Sequence, residues 1–338
     1  MQASHRATSV HRTYSYSFLS LVPERRMTLN RLVWLSFVAS RLALAGSCRG
    51  QSPATPDKSA RVFSMRSGNS AHICVRPVGD RSCHRLTTRD GGWEAGGVLS
   101  PDGKLVAYSA GDAPLTKSAI WVSRLDGGGA RRVSGANEDA LMPAFGADGH
   151  TLFYMQSAAF GHASPIASSR RHKFDVMSVS LNDSGAASGQ PVQLTHQELY
   201  DVSSIAISPD GKRFLLCLSR YPIGSVIEEY DIDKPLQIKA TYQPHVTGEV
   251  SSGSIFGGAA YVHDGLDIVF TAATGGFEFD YNVYQFSAVT GGDIVALTHG
   301  QGMLESFNVD RDGSIHFMRD GHGYRLDPQT RAMSDDDF

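Results

Sequence analysis

The chain has 338 residues, of which 41% are hydrophobic and 19% charged, with 35 glycines and a formal net charge of −3. Acids and bases are interspersed, which excludes a nucleic-acid-binding footprint and an extreme acidic character. Glycine in this amount, with aromatic and β-branched residues throughout the middle of the chain, points to many short strands joined by tight turns.

Residues 1–60 read as a leader. The first 26 are rich in Ser and Arg and show no amphipathic period, and Met27 offers an alternative start. Arg25, Arg26 and Arg31 precede an apolar run at 32–39, and Ala43-Leu44-Ala45 has the small residues of an export-signal cleavage site. Ala45-Gly46-Ser47-Cys48 loosely resembles a bacterial lipobox, in which Cys48 becomes the lipidated first residue. The apolar run is too short to span a bilayer, so membrane contact is expected only through such an anchor. Export to the periplasm or outside the cell follows from this leader, with residues 51–59 as a plain tether.

The first folded unit has strands at 61–65, 73–76 and 84–87, with no Asp-Gly pair and no opening strand of its own. Cys74 and Cys83 bracket its last turn. A disulfide in an oxidising compartment and two unpaired thiols are both compatible with that spacing. From there Asp-Gly pairs recur at Asp102-Gly103, Asp148-Gly149, Asp210-Gly211, Asp264-Gly265 and Asp312-Gly313, with 46 to 62 residues from one to the next. A short apolar strand precedes each pair and an alternating strand follows it, as in 97–100 and 105–108 or 204–207 and 213–216. The Asp side chain can cap the turn, and Gly supplies the positive φ that the reversal needs. Third strands follow at 119–123, 175–179, 226–230 and 282–286, and fourth strands at 130–133, 191–195 and 294–298. Cys217, within the apolar stretch 214–218, belongs to the core. Four strands per unit is the blade of a propeller. Counting the early unit, the expectation is an all-β, six-bladed β-propeller over residues 61–334. Ring closure should lie between the first and last units, with an acidic tail at 335–338 that frays.

Ser100-Pro101-Asp102-Gly103-Lys104, Ser208-Pro209-Asp210-Gly211-Lys212, the Ile120-Trp121-Val122 strand and Asp126-Gly127-Gly128-Gly129 resemble the Pro-Asp repeat of TolB-like propellers. The resemblance covers about residues 61–330, with 97–134 closest to the motif. It implies a propeller that binds partner proteins at the cell envelope. It also brings in relatives that are lyases, hydrolases or the propeller half of peptidases.

Motifs for chemistry are absent: no Gly-x-Ser-x-Gly elbow, no phosphate-cradling loop, and 13 scattered histidines. No catalytic residue, resident cofactor or metal site is predicted. Acids do stand ahead of successive inner strands: Glu94, Asp139 (beside Glu138), Asp201, Glu249 and Glu305. In a propeller these positions ring the channel mouth, where carboxylates would favour a cation or a basic peptide group; turn-capping and solvent-facing roles remain open for the same residues. An insertion at 156–173 carries Phe160, His162, Arg170 and Arg171, and a second loop carries Phe277 and Tyr281, residue types that suit a protein or peptide contact. The expected function is a non-catalytic, exported binding module for a protein, peptide or glycan. The alternative is a metal-assisted lyase or hydrolase using acids at the channel mouth.

Overall fold

The computed structural model describes residues 60–336, apart from 69, 78–81, 88–90, 114–115, 137, 158, 160–172, 221–222, 247–254, 274–279, 303, 311 and the side chains of Glu305 and Ser306. The expected leader, Cys48, Glu249, Phe160, His162, Arg170, Arg171 and Phe277 therefore lie outside the described residues.

The first unit is three-stranded, with β1 (Arg61–Ser67), β2 (Ser70–Arg76) and β3 (His84–Arg85) in that spatial order. One parallel bridge, Ala71 to Trp93, joins it to the next unit. That unit is β4 (Trp93–Leu99), β5 (Leu105–Gly111), β6 (Ser118–Arg124) and β7 (Arg131–Arg132). Four more four-stranded antiparallel sheets follow. The third unit holds β8 (Asp139–Phe145), β9 (Thr151–Ser157), β10 (Phe174–Ser180) and β11 (Val192–Gln193). The fourth holds β12 (Ser204–Ile207), β13 (Arg213–Arg220), β14 (Gly224–Asp231) and β15 (Ile238–Tyr242). The fifth holds β16 (Phe256–Val262), β17 (Asp267–Ala273), β18 (Tyr281–Ser287) and β19 (Val295–Ala296). The last holds β20 (Leu304–Val309), β21 (Ile315–Arg319), β22 (His322–Leu326) and β23 (Met333–Asp336). Among the described residues no helix is long and apolar enough to cross a membrane.

Period-two alternation decides how the sheets stack. Along β13, Phe214, Leu216 and Leu218 pack with Met155 and Val176 of the third unit, while Leu215 and Cys217 face Phe270 and Phe286 of the fifth. Both faces of a middle strand are thus buried, each against a different neighbour. Five such hydrophobic clusters fill the five successive sheet-to-sheet interfaces. This radial face-to-face stacking is the packing of a propeller. Between the last and first units no hydrophobic cluster of described residues spans the gap. Arg61 of β1 instead donates to the carboxylate of Asp336 on β23, and His316 of β21 lies 2.6 Å from the same group.

A repeated polar clamp holds each short fourth strand. Leu86, Val133, Leu194 and Leu297 donate their N–H groups to the carbonyls of Ile73, Ile120, Val176 and Val283. The hydroxyl of the next residue, Ser134, Thr195 or Thr298, then accepts from the N–H of Ile120, Val176 or Val283.

Four Asp-Gly turns behave as their chemistry dictates. Asp102 Oδ1 accepts from Ser100 Oγ at 2.7 Å and from the Lys104 N–H, and Gly103 takes φ +74°. Asp148, Asp210 and Asp312 accept from backbone N–H groups two residues on, with Gly149, Gly211 and Gly313 also at positive φ. Asp264-Gly265 departs from the pattern. It lies in a 3₁₀ turn in which His263 and Asp264 themselves take positive φ, and the His263 imidazole pairs with Asp267. The C-terminal tail also departs from expectation: instead of fraying from residue 335, the chain pairs as β23 through Asp336.

Cys74 and Cys83 form a disulfide between β2 and the start of β3, with Cα atoms 5.8 Å apart, a normal span for the bond. Cys217 is a free, fully buried thiol that burial pushes up to about 12.

Candidate channel site

The innermost strands do not run straight. Their pairing shifts between Ala95 and Val98 in β4, Leu141 and Ala144 in β8, Phe256 and Gly258 in β16, and Glu305 and Asn308 in β20. Each shift is a bulge, which frees residues from the ladder and turns them toward a new direction. Residues at three of these bulges face one common cavity of about 320 Å³, lined by 96–98 of β4, 142–143 of β8 and 307–308 of β20. Residues 203–205 beside and within β12, and 61–64 of β1, complete the wall with Asp310 and His316. Gly97 is required here, because a Cβ at that position would stand 2.6 Å from Val62 Cγ1. Met142 sits at φ +54°, a strained position for a side chain of its size, directly before Pro143 in the bulge.

Valine, methionine, proline, isoleucine and phenylalanine make the largest share of this wall, with glycines, serines and Asn308 between them. Its ionisable groups, Arg61, Asp310 and His316, cluster on one side. His316 is 3% exposed; Nδ1 lies 2.6 Å from Asp336 Oδ2 and Nε2 lies 3.0 Å from Asp310 Oδ2. Burial pushes the Asp336 carboxyl up, but hydrogen bonds from Arg61 and His316 outweigh it and hold the group below the usual carboxylate range. The result is a file of close contacts from Arg61 through Asp336 and His316 to Asp310, at one side of the described cavity wall. An imidazole held between two carboxylates can bind a polar group or move a proton.

The acids expected at the mouth are placed differently. Glu94 is 3% exposed and accepts from Thr87 Oγ1 and from the Ile73 N–H, and Asp139 is fully buried and accepts from the Ser118 N–H at 2.7 Å. Each carboxylate ties an inner strand to the third strand of the preceding unit, so these two are structural joints. Asp201 is half-buried, with φ +46°. Glu305 is placed on β20 by its backbone, at the bulge. Tyr281 opens β18, and its carbonyl accepts from Arg319. Of the described acids, Glu94 and Asp139 are thus engaged by donors of the preceding unit and do not line the cavity, whereas Glu249, Phe160, His162 and Phe277 lie outside the described residues.

Arg61, Asp310, His316 and Asp336 were missed by sequence reasoning. Only His316 left a signal, as the polar residue of Ile315-His316-Phe317 in a middle strand where 315–317 are all buried. Among the described residues no three His, Cys, Asp or Glu side chains converge as a metal ion would require.

No protein-family model matches the chain, and no relative is found among curated sequences. Solved structures do match. TolB from Acinetobacter baumannii superposes with a TM-score of 0.58 at 16% identity, covering 82% of this chain and 63% of that one. The chain has a TolB-like β-propeller fold. It spans a little under two thirds of that TolB chain. An oligogalacturonate lyase in complex with manganese matches at TM-score 0.55 and 15% identity, over 83% of this chain and 74% of the lyase. A puromycin-hydrolysing peptidase of Mycobacterium tuberculosis matches at 0.52 and 16%, over 82% of this chain and 43% of the peptidase. TolB, a lyase and a peptidase share this fold, so function must be argued from the channel residues.

Proposed function

We propose that this TolB-like propeller is an exported, six-bladed binding module that takes a protein, peptide or glycan segment at its channel face without catalysis. The observation that carries this reading is the open cavity of about 320 Å³ whose wall is mostly apolar and whose charged groups lie on one side. Such a wall buries apolar surface while a few polar groups set orientation. Five four-stranded sheets and a three-stranded unit with the same fourth-strand clamp support the count of six. The Cys74–Cys83 disulfide and the leader's cleavage pattern support export to an oxidising compartment such as the periplasm. Arrays of extended hexapeptides and of oligosaccharides test binding, with Asn308→Trp as the channel-filling control. Retained folding with lost capture by Asn308→Trp is the expected result; equal capture by both proteins would move the site elsewhere. Amino-terminal sequencing of exported protein should find a start at Gly46 or Cys48.

A second reading, catalysis at the channel, is favoured by the Asp310–His316–Asp336 arrangement and by the enzymes that share the fold. Turnover of an acidic oligosaccharide or a peptide that disappears in His316→Ala would replace the binding reading.

A further inference from the structure

A buried guanidinium ordinarily has a carboxylate or phosphate partner, because an isolated charge loses its hydration on leaving water. Arg76 departs from that rule. It closes β2 and is 9% exposed, yet among the described residues no carboxylate pairs with it and its Nε has no hydrogen-bond partner. Its guanidinium lies over the ring of Phe63, with Cζ 5.1 Å from the ring centre. A cation over an aromatic face recovers part of the lost hydration, but the ring offers the N–H groups no oxygen acceptor.

The register of the first unit shows what surrounds this group. Arg61 stands directly opposite Arg76 and Phe63 opposite Cys74, so these four side chains share one face of the sheet. Val62, Ile73 and Val75 take the other face and pack with Val106 and Tyr108 of the second unit. The face of Arg76 is therefore the one turned toward the last unit, as the pairing of Arg61 with Asp336 shows directly. Two guanidinium groups thus stand side by side at the seam between the first and last units. Among the described residues, the carboxylates of that seam are already engaged. Asp336 is held by Arg61 and His316, Asp310 lies 3.0 Å from His316 Nε2, and Asp312 pairs with Arg325. Arg61 and Phe63 are also wall residues of the cavity, which brings the fork of Arg76, stacked on Phe63, to the edge of the channel.

We propose that Arg76 and Arg61 form a binding site for an oxyanion group, a carboxylate or a phosphate, at the seam between the first and last units. The planar fork of Arg76 matches two oxygens of such a group at once, a geometry that a hydroxyl or an ammonium cannot use. Phe63 fixes the plane of the fork, and Arg61 adds a second positive charge while it stays paired with Asp336. On this side of the channel the site selects acidic ligands over basic ones. It goes beyond the binding reading and does not depend on the channel's taking a peptide or a glycan.

Thermal melts of the full chain in rising phosphate or succinate, with sodium chloride holding the ionic strength constant, test the proposal. The wild type should show a rise in melting temperature that saturates in the millimolar range, and the anion that saturates first identifies the preferred group. Arg76→Met should weaken the apparent affinity about tenfold, because the charged hydrogen bonds are lost. Arg66→Met, which removes an exposed guanidinium over Trp93, should leave it unchanged. Equal affinity in wild type and Arg76→Met, or an equal loss in Arg66→Met, would overturn the site. A rise that never saturates with either anion is a general salt effect and would overturn it too. Should Arg76→Met fail to fold, Arg76→Lys replaces it. There the charge stays and the fork goes, so affinity should fall several-fold, and unchanged affinity would overturn the proposal.

Discussion

Arg61 donates to the carboxylate of Asp336, so the first described strand and the last meet in an ion pair between residues 275 positions apart in the sequence. Asp336 is nearly buried and is also held by His316, so removing one partner leaves a carboxylate with part of its desolvation uncompensated. Arg61→Met should lower unfolding free energy by about 2–3 kcal/mol. Asp336→Asn made in the Arg61→Met background should cost much less than in the wild type. Urea unfolding of the four proteins measures the coupling, and strictly additive losses would show that the pair does not close the ring.

The clamp on the fourth strands predicts a second effect. Thr195 Oγ1 accepts from the Val176 N–H and donates to Asp175, both buried. Thr195→Val keeps the shape but strands both partners, and should cost about 1–3 kcal/mol. Denaturant melts of Thr195→Val beside Thr330→Val, an exposed threonine, give the comparison.

The turn carboxylates make stability depend on acid pH. At Asp102 burial pushes the carboxyl up, but hydrogen bonds from Lys104 and Ser100 prevail and bring it down to about 2. A group lowered on folding stabilises above its unfolded value near 3.8, and that contribution disappears as pH falls through about 2. Asp102→Asn should therefore melt below the wild type at pH 6, with the gap closing between pH about 4 and about 2. Thermal melts across that range check it; a gap that persists at pH about 2 would mean that the carboxylate charge is not the source.

The disulfide predicts a redox-dependent stability. Cys74 and Cys83 close a short loop, which constrains the unfolded chain by about 2–3 kcal/mol. Cys74→Ala/Cys83→Ala should melt lower than the oxidised wild type, and added reductant should bring the two curves together.

What was legible in the sequence was local chemistry. Asp102-Gly103 and Asp210-Gly211 announce their turns because the cap, the positive φ and the flanking alternation lie within a few residues. Glu94 and Asp139 could not be read the same way: each finds its backbone donor 21 residues earlier, on a neighbouring sheet, and no local pattern separates a buried joint from a loop acid. β15, β22 and β23 escaped notice for another reason. Glycine, lysine and aspartate dilute their apolar pattern, and these strands form because an existing sheet edge offers them partners. Arg61 and Asp336 gave no signal at all, since their relation exists only once the sheets have stacked.

The bulges in β4, β8 and β20 separate two tasks that a straight strand would have to combine. Ladder hydrogen bonds on either side of each bulge hold the sheet, while Gly96, Met142 and Phe307 are relieved of pairing and serve only as wall. Exchanging the wall residues would then reshape the cavity with little effect on the sheets behind it. The molecule is, in this sense, a fixed frame with replaceable panels, and the shape of its cavity can be changed by re-lining rather than refolding.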